Sequence, residues 1–438
     1  MTGADTLHAF LIYGLPAFAA CAGWGWLRAR RNRQTLGSVA RARELGLERP
    51  ASLHPAINPN RCLGCGTCIP ACPEKTVLGL LDGKAIVVEP ASCVGHGACR
   101  TACPTDAITL VLGTEERPVE IPALGPDFQT SVPGVFVAGE LGGMGLIRNA
   151  VEQGRQVVAS IAAGRDRGPA ELDVVIVGAG PAGLAAAFSA RERGLRAVVV
   201  EQDRLGGAVA HYPRRKLVLT APVELPGAGR IEGRISKEQL LEVWTRAQRE
   251  SGLEIHTSER LTGIERLDGG LLRVTTDRGH YEAGAVVLAI GRRGTPRRLG
   301  VPGEDCPKVA YALEDPADHR GERVLVVGGG DSALEAAIGL AGEPGTTVTL
   351  CYRGAAFARA KAANRERISE LSAEGRLAVW LESQVTAISP DQVRIETPGG
   401  EKLLDNDRVV VCAGGVLPTA LLQSLGVETE VKRGAPIS

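Results

Sequence analysis

Seven of the chain's eleven cysteines lie between Cys62 and Cys103, spaced in a repeated pattern. The first run is Cys62-x-x-Cys65-x-x-Cys68-x-x-x-Cys72-Pro73, and the second is Cys93-x-x-His96-x-x-Cys99-x-x-x-Cys103-Pro104. In a chain of 438 residues such clustering points to metal binding. A disulfide framework belongs instead to short secreted chains. Zinc motifs pair their ligands two at a time, whereas here three ligands follow one another and a fourth leaves on a new segment before proline. Cys21, Cys306, Cys351 and Cys412 are scattered and read as small buried hydrophobes.

This spacing lets one loop wrap three thiolates around a cubane iron–sulfur cluster while the fourth cysteine reaches a second cluster. Residues 57–112 resemble a two-cluster bacterial ferredoxin. The resemblance implies one 4Fe-4S cluster on Cys62, Cys65, Cys68 and Cys103, and another cluster on Cys72, Cys93 and Cys99. His96 stands where the pattern has a cysteine. Three outcomes stay open: a 4Fe-4S cluster bound by its imidazole, a 3Fe-4S cluster with an empty corner, or an exogenous ligand. Ligation would raise the cluster potential, because a neutral ring replaces an anionic thiolate. Gly95 and Gly97 flank His96 and permit a tight approach. Val77–Leu81 turns at Asp82-Gly83 into Ala85–Val88, which predicts a hairpin, and Ile108–Leu112 is a second apolar run.

From residue 115 onward strands alternate with helices and glycine-rich turns, the α/β pattern. Two buried-strand runs, Leu172–Val177 and Val324–Val327, flow into glycines and alanine-rich helices, a weak internal repeat of two dinucleotide-binding domains. In the first, Gly178 permits the turn, Gly180 lets the backbone approach a pyrophosphate, and Gly183 lets helix pack on strand. The strand Ala197–Val200 ends at Glu201, close to the expected ribose-binding acid.

These residues, with Leu205-Gly206-Gly207 and His211-Tyr212-Pro213, resemble the thioredoxin-reductase-like FAD/NAD(P) oxidoreductases. The likeness runs over about residues 115–435 and is nearest the ferredoxin–NADP reductases of thioredoxin-reductase type. It implies that Gly206, Gly207 and Tyr212 pass the flavin ring, with Tyr212 stacking on it. The family's second flavin motif normally lies near the C-terminus. Here it sits early, as Thr130-Ser-Val-Pro-Gly-Val-Phe-Val-Ala-Gly139-Glu140, and the chain ends soon after Leu417-Pro418-Thr419, so the order reads as a circular permutation. Glu140 replaces the family's aspartate on the ribityl chain. The following helix should start at the flavin and end near residue 164, leaving Gly164–Glu171 to close the gap to Leu172.

The second fingerprint is Gly328-Gly329-Gly330-Asp331-Ser332, and the family likeness makes Gly328, Gly330, Asp331 and Ser332 nucleotide contacts. The strand Thr347–Tyr352 ends at Arg353, the first arginine of the family's NADP motif, with Gly354 in place of the second. A cation there accommodates a 2′-phosphate, so NADPH is favoured over NADH, with Arg359 and Lys361 assisting. The redox C-x-x-C of thioredoxin reductases is missing, since Tyr311–Asp315 holds no cysteine. The resemblance also implies rotation of the nicotinamide domain.

The fold class is therefore α/β, with two Rossmann-like domains behind a small α+β ferredoxin domain and one N-terminal transmembrane helix. That helix is read from the uncharged run Leu7–Leu27, closed by Trp24, Trp26 and then Arg28, Arg30, Arg31 and Arg33. An amphipathic or disordered leader is the alternative. The domains read as anchor 1–28, linker 29–56, ferredoxin 57–112, FAD-binding 113–292 with part of 415–438, and NAD(P)-binding 293–414. The positive-inside rule makes the protein single-pass in the cell membrane, with its catalytic part cytoplasmic. Fifty basic residues balance fifty acidic ones and aromatics are scarce, which speaks against nucleic acid. The activity expected is electron movement between NAD(P)H, FAD and two iron–sulfur clusters, to or from a redox protein or quinone, with a homodimer open. Two rivals are reduction of a low-molecular-weight disulfide, as in the bacillithiol-disulfide reductases, and a membrane-tethered redox sensor.

Overall fold

A computed structural model describes residues 13–436 apart from 45–46, 49, 51–52, 94, 117, 144, 165–169, 213, 215, 220–221, 293–294, 359 and 417. The chain divides into two compact units, one ending at Val111 and the other beginning at Leu112.

The first unit opens with a long helix, α1 (Leu15–Glu44), apolar at first and arginine-rich afterwards. Arg28 and Arg30 lie over the rings of Trp24 and Trp26, each 5.5 Å from the centroid. Two expectations change here. No described helix is long and apolar enough to cross a membrane. Residues 7–12 of the apolar run lie outside the described residues, and the part that is described is cut short by Arg28, Arg30, Arg31 and Arg33. Residues 29–44, read above as linker, continue α1 instead. Their alanine, leucine, glutamine and arginine content favours helix. The helix also has a packing partner: Thr35 Oγ1 donates to the Leu80 carbonyl at 2.9 Å, and Asn32 Nδ2 donates to Asp82 Oδ1 at 2.7 Å.

Strand β1 (Leu53–Ile57) lies beside β4 (Ile108–Leu112). Between them in sequence come the one-turn helix α2 (Cys68–Ala71), the hairpin β2 (Leu78–Leu81) and β3 (Lys84–Val87), and a second one-turn helix, α3 (Ala98–Thr101). The hairpin turns on Asp82 (φ +51) and Gly83 (φ +78), the primed geometry that matches strand twist. Cys62, Cys68 and Cys99 are buried with Val77, Leu78, Ala85, Ala107 and Ile108.

The second unit holds two parallel-rich sheets. Its first strands are β5 (Val119–Pro122), β6 (Val135–Val137), β7 (Leu172–Val177) and β8 (Ala197–Val200), followed by β9 (Ile255–His256), β10 (Leu261–Arg266), β11 (Leu272–Thr276) and β12 (His280–Leu288). One sheet runs β9-β8-β7-β12-β11-β10, with β6 also paired to β12. The β6–β12 register is parallel, Val286↔Val135 through Leu288↔Val137, so a strand that precedes β7 in sequence lies on the far side of β12. The helix α4 (Ile147–Ala163) then packs on α5 (Pro181–Glu192). Gly154 makes this possible: a Cβ there would fall 2.3 Å from the Ala182 carbonyl oxygen and 2.9 Å from the Ala186 nitrogen. A third long helix of this half is α6 (Lys237–Ser251), opened by a Ser236–Gln239 capping box.

The other sheet comprises β13 (Val309–Ala310), β14 (Arg323–Val327), β15 (Thr347–Cys351), β16 (Leu377–Trp380) and β17 (Arg408–Val411), in the order β13-β17-β14-β15-β16, all parallel. Its helices are α7 (Asp331–Ala341) and α8 (Ala362–Ala373). The chain then returns to the first half. Strand β18 (Thr429–Lys432) pairs antiparallel with β5, and Leu422, Leu425 and Val427 join Val135, Val137 and Leu141 in one core.

Candidate functional site

Strand β7 ends in the glycine turn. Gly178 has φ +106, and a Cβ on it would lie 2.6 Å from the Ala289 carbonyl oxygen. A Cβ on Gly183 would lie 1.8 Å from the Gly178 carbonyl oxygen, so Gly183 is what lets α5 close on the turn. Gly180 has nothing within 4 Å on its Cβ side and caps the N-terminus of α5. Two glycines thus serve the protein's own packing and one faces open space, where a bound pyrophosphate would meet helix amides and the positive end of the helix dipole.

Glu201 is buried, 6% exposed, and braces this turn. Its Oε2 accepts the Ala179 amide at 2.7 Å and its Oε1 the Asp203 amide at 2.9 Å. The Gly206 amide donates to the Ala179 carbonyl at 2.9 Å, and a Cβ on Gly207 would stand 3.0 Å from the Gly180 Cα. A Cβ on Gly139 would stand 2.9 Å from that of Ala182, which sets Glu140 beside the start of α5. The helix following Glu140 begins only at Ile147, after a 3-10 turn over Glu140–Gly142, and ends at Ala163. Of the closing link, 165–169 lie outside the described residues. An open glycine, a buried carboxylate and two glycine-lined segments converge on one helix N-terminus, and this set fits FAD.

Tyr212 is half-buried, with the Lys216 ammonium 4.7 Å from its ring centroid. Its carbonyl accepts from Lys237, which also reaches the Ala210 carbonyl at 3.3 Å; burial pushes the Lys237 ammonium below its usual range. Pro213 is outside the described residues. Two residues here escaped the sequence. Lys237, from α6, pins the Ala210–Tyr212 segment. Arg292 lies just past β12, an inner strand of the sheet; burial lowers its guanidinium, against the nearby charge of Glu140. The only available signal for Arg292 was its place after Gly291.

In the second half, a Cβ on Gly328 would fall 2.4 Å from the Cys412 carbonyl oxygen, while Gly330 faces open space. Ser332 lies in the first turn of α7. Asp331 Oδ1 accepts the Lys361 amide at 2.8 Å and Asn364 Nδ2 at 2.7 Å, so this carboxylate ties down the entry to α8. Arg353 is exposed just past β15, and Arg359 lies outside the described residues. Tyr352 also went unread: its ring fills the space beside Gly329, 2.4 Å from where a Cβ would be, and stacks on Phe357 with centroids 5.6 Å apart.

The cysteines sort into two neighbourhoods. Burial raises the Cys68 thiol, and charge on Cys62, Cys65 and Cys103 raises it further. Burial pushes Cys99 up to about 11, with Cys93, then Cys72 and, from the other neighbourhood, Cys68 adding to it. Hydrogen bonds from Thr67 lower Cys65. Cys62 Sγ accepts the Ala85 amide at 3.4 Å and Cys103 Sγ the Ala107 amide at 3.3 Å, which are contacts suited to anionic sulfur. Cys72, Cys93, Cys99 and His96 line one pocket. Among the described residues no group of three or more His, Cys, Asp or Glu is placed to hold a metal ion. The cysteines' spacing in sequence, three ligands in a run and a fourth before proline, is that of a polynuclear cluster rather than of mononuclear zinc.

Residues 175–437 match the Pyridine nucleotide-disulphide oxidoreductase family, and residues 54–104 match the 4Fe-4S dicluster domain. A ferredoxin–NADP reductase of Ignicoccus hospitalis is 33% identical over 268 residues, covering 59% of this chain and 83% of the relative. One of Thermus thermophilus is 33% identical over 271 residues, covering 59% and 77%. A solved bacillithiol disulfide reductase of Bacillus cereus aligns with TM-score 0.52 and 25% identity, covering 59% of this chain and 82% of its own.

Proposed function

The chain belongs to the pyridine nucleotide-disulphide oxidoreductase family, and from that premise we propose that it moves electrons between NADPH, FAD and two iron–sulfur clusters, to or from a separate redox partner. One observation carries this reading. A dicluster cysteine set shares a chain with a two-fingerprint nucleotide fold that has no C-x-x-C ahead of its second fingerprint. The dithiol route out of the flavin is missing, and the thiolate-bound iron offers another. FAD held at the Gly180 turn supplies hydride exchange on the nicotinamide side and single-electron exchange towards the clusters. The chain's residues bind and orient: Glu201 fixes the turn, Lys237 holds the Ala210–Tyr212 segment, and Arg353 meets the 2′-phosphate that separates NADPH from NADH.

Anaerobic addition of NADPH to the purified protein tests this. Bleaching of the cluster absorbance after that of the flavin is the expected result. Flavin reduction with the clusters untouched would refute it. If turnover then needed a low-molecular-weight disulfide, the second reading, favoured by the bacillithiol disulfide reductase likeness, would stand in its place.

The exposed residues Phe18, Trp24 and Trp26, followed by arginines, have the chemistry of a helix that rests on a membrane surface. We take the partner to be a quinone or a redox protein there. Replacing both tryptophans by serine should reduce co-sedimentation with anionic vesicles about tenfold or more, each ring contributing about 1 kcal/mol or more to the interface. Equal sedimentation would count against membrane docking.

A further inference from the structure

Cys65 and His96 occupy the same position in two copies of one loop. Gly64 (φ +70) and Gly66 (φ +76) flank Cys65; Gly95 (φ +76) and Gly97 (φ +77) flank His96. A left-handed glycine on each side constrains the path of the residue between, and the matching φ values give the two loops the same flanking backbone. Both loops then enter a one-turn helix bearing a buried cysteine, Cys68 in α2 and Cys99 in α3. Both glycines of the second loop sit at positive φ, where a larger residue is strained, and Gly95 is also closely packed. A Cβ on Gly95 would meet Leu53 at 2.8 Å, and one on Gly97 would meet Leu110 at 3.3 Å. His96 faces the pocket it shares with Cys72, Cys93 and Cys99, the three thiols left without a fourth.

We propose that His96 is the fourth ligand of this cluster, its ring-nitrogen lone pair binding the iron that a second-position cysteine binds in the other loop. The proposal rests on the iron–sulfur reading above. It carries a consequence for current flow. A neutral imidazole in place of a thiolate leaves the His96 cluster one negative charge lighter, so it takes up an electron more readily than the all-cysteine cluster. The two clusters are then ordered in potential by a single side chain.

The test uses the full chain, purified anaerobically as wild type, His96→Ala and His96→Cys, with iron counting, EPR of the oxidised protein and a redox titration. Wild type should carry about eight irons and show no three-iron signal. His96→Ala should lose about one iron, or keep it with that cluster's midpoint shifted. His96→Cys should keep about eight and lower one midpoint while leaving the other in place. FAD content checks that each variant is folded. A three-iron signal in the wild type, or a His96→Ala protein matching it in iron content, spectrum and both midpoints, overturns the ligation. A chain that binds no iron overturns the electron-transfer reading itself, which is a separate outcome.

Discussion

Gly180 and Gly183 share one turn yet answer to different constraints. Gly180 has φ −79 and ψ −173, open to any residue, and empty space on its Cβ side. Gly183 has a carbonyl oxygen 1.8 Å from where its Cβ would be. Gly180→Ala should therefore change stability by under about 0.5 kcal/mol while lowering FAD occupancy. Gly183→Ala should cost about 3 kcal/mol or more, because the helix must lift from the turn. Thermal unfolding and the flavin-to-protein ratio check the pair, and equal effects on both readouts would remove the distinction. At Arg353 the prediction concerns selectivity. A charge-assisted contact to a 2′-phosphate contributes about 1.5–3 kcal/mol, so Arg353→Ala should raise KM for NADPH about tenfold or more. KM for NADH should stay within about twofold, since that ribose carries no phosphate. Parallel steady-state assays with an artificial acceptor decide this.

The early strand and helix, β6 and α4, carry the argument that the flavin fold is closed from an unusual end of the chain. Gly154→Val would drive a side chain into the Ala182 carbonyl, 2.3 Å from its Cβ, and force α4 off α5. The expected result is loss of bound FAD and a destabilisation of about 3 kcal/mol or more. Retention of FAD with an unchanged Tm would mean that α4 is not part of the flavin site. Elements of this kind were legible in the sequence wherever period and glycine spacing decide the structure: Leu172–Val177 and Ala197–Val200 are strands with the boundaries read for them, and the apolar run Ile108–Leu112 is a strand as well. The second half of α1 was not legible, because its partner is a hairpin some forty-five residues further on, reached through Thr35 and Leu80. Asp331 escaped for the same reason. A fingerprint position reads as a nucleotide contact, but Lys361 and Asn364 claim its carboxylate. Local pattern reports backbone demands well and reports poorly which distant side chain satisfies a polar group.

At the scale of the second unit, three ion pairs join the segment that passes the flavin site to the nucleotide half. Arg204 meets Glu314, Arg214 meets Asp315 at 2.6 Å, and Lys216 meets Glu335 at 2.6 Å. The last pair is the least exposed, at 29% and 20%, and Lys216 is also the cation over the Tyr212 ring. An exposed pair contributes about 0–1 kcal/mol and is screened by salt, so three together can hold one orientation of the halves without locking it. If the nicotinamide half must rotate during turnover, these contacts break in each cycle, and their strength bears on kcat. At saturating NADPH, kcat should then rise severalfold between about 0.05 and 1 M KCl, as the Debye length shrinks from about 14 to 3 Å. Glu335→Gln should start above the wild-type rate at low salt and keep most of the salt response, because the two more exposed and more strongly screened pairs remain. Stopped-flow flavin reduction measures this without any downstream acceptor. A variant with the wild-type rate at low salt would show that this pair does not restrain the motion.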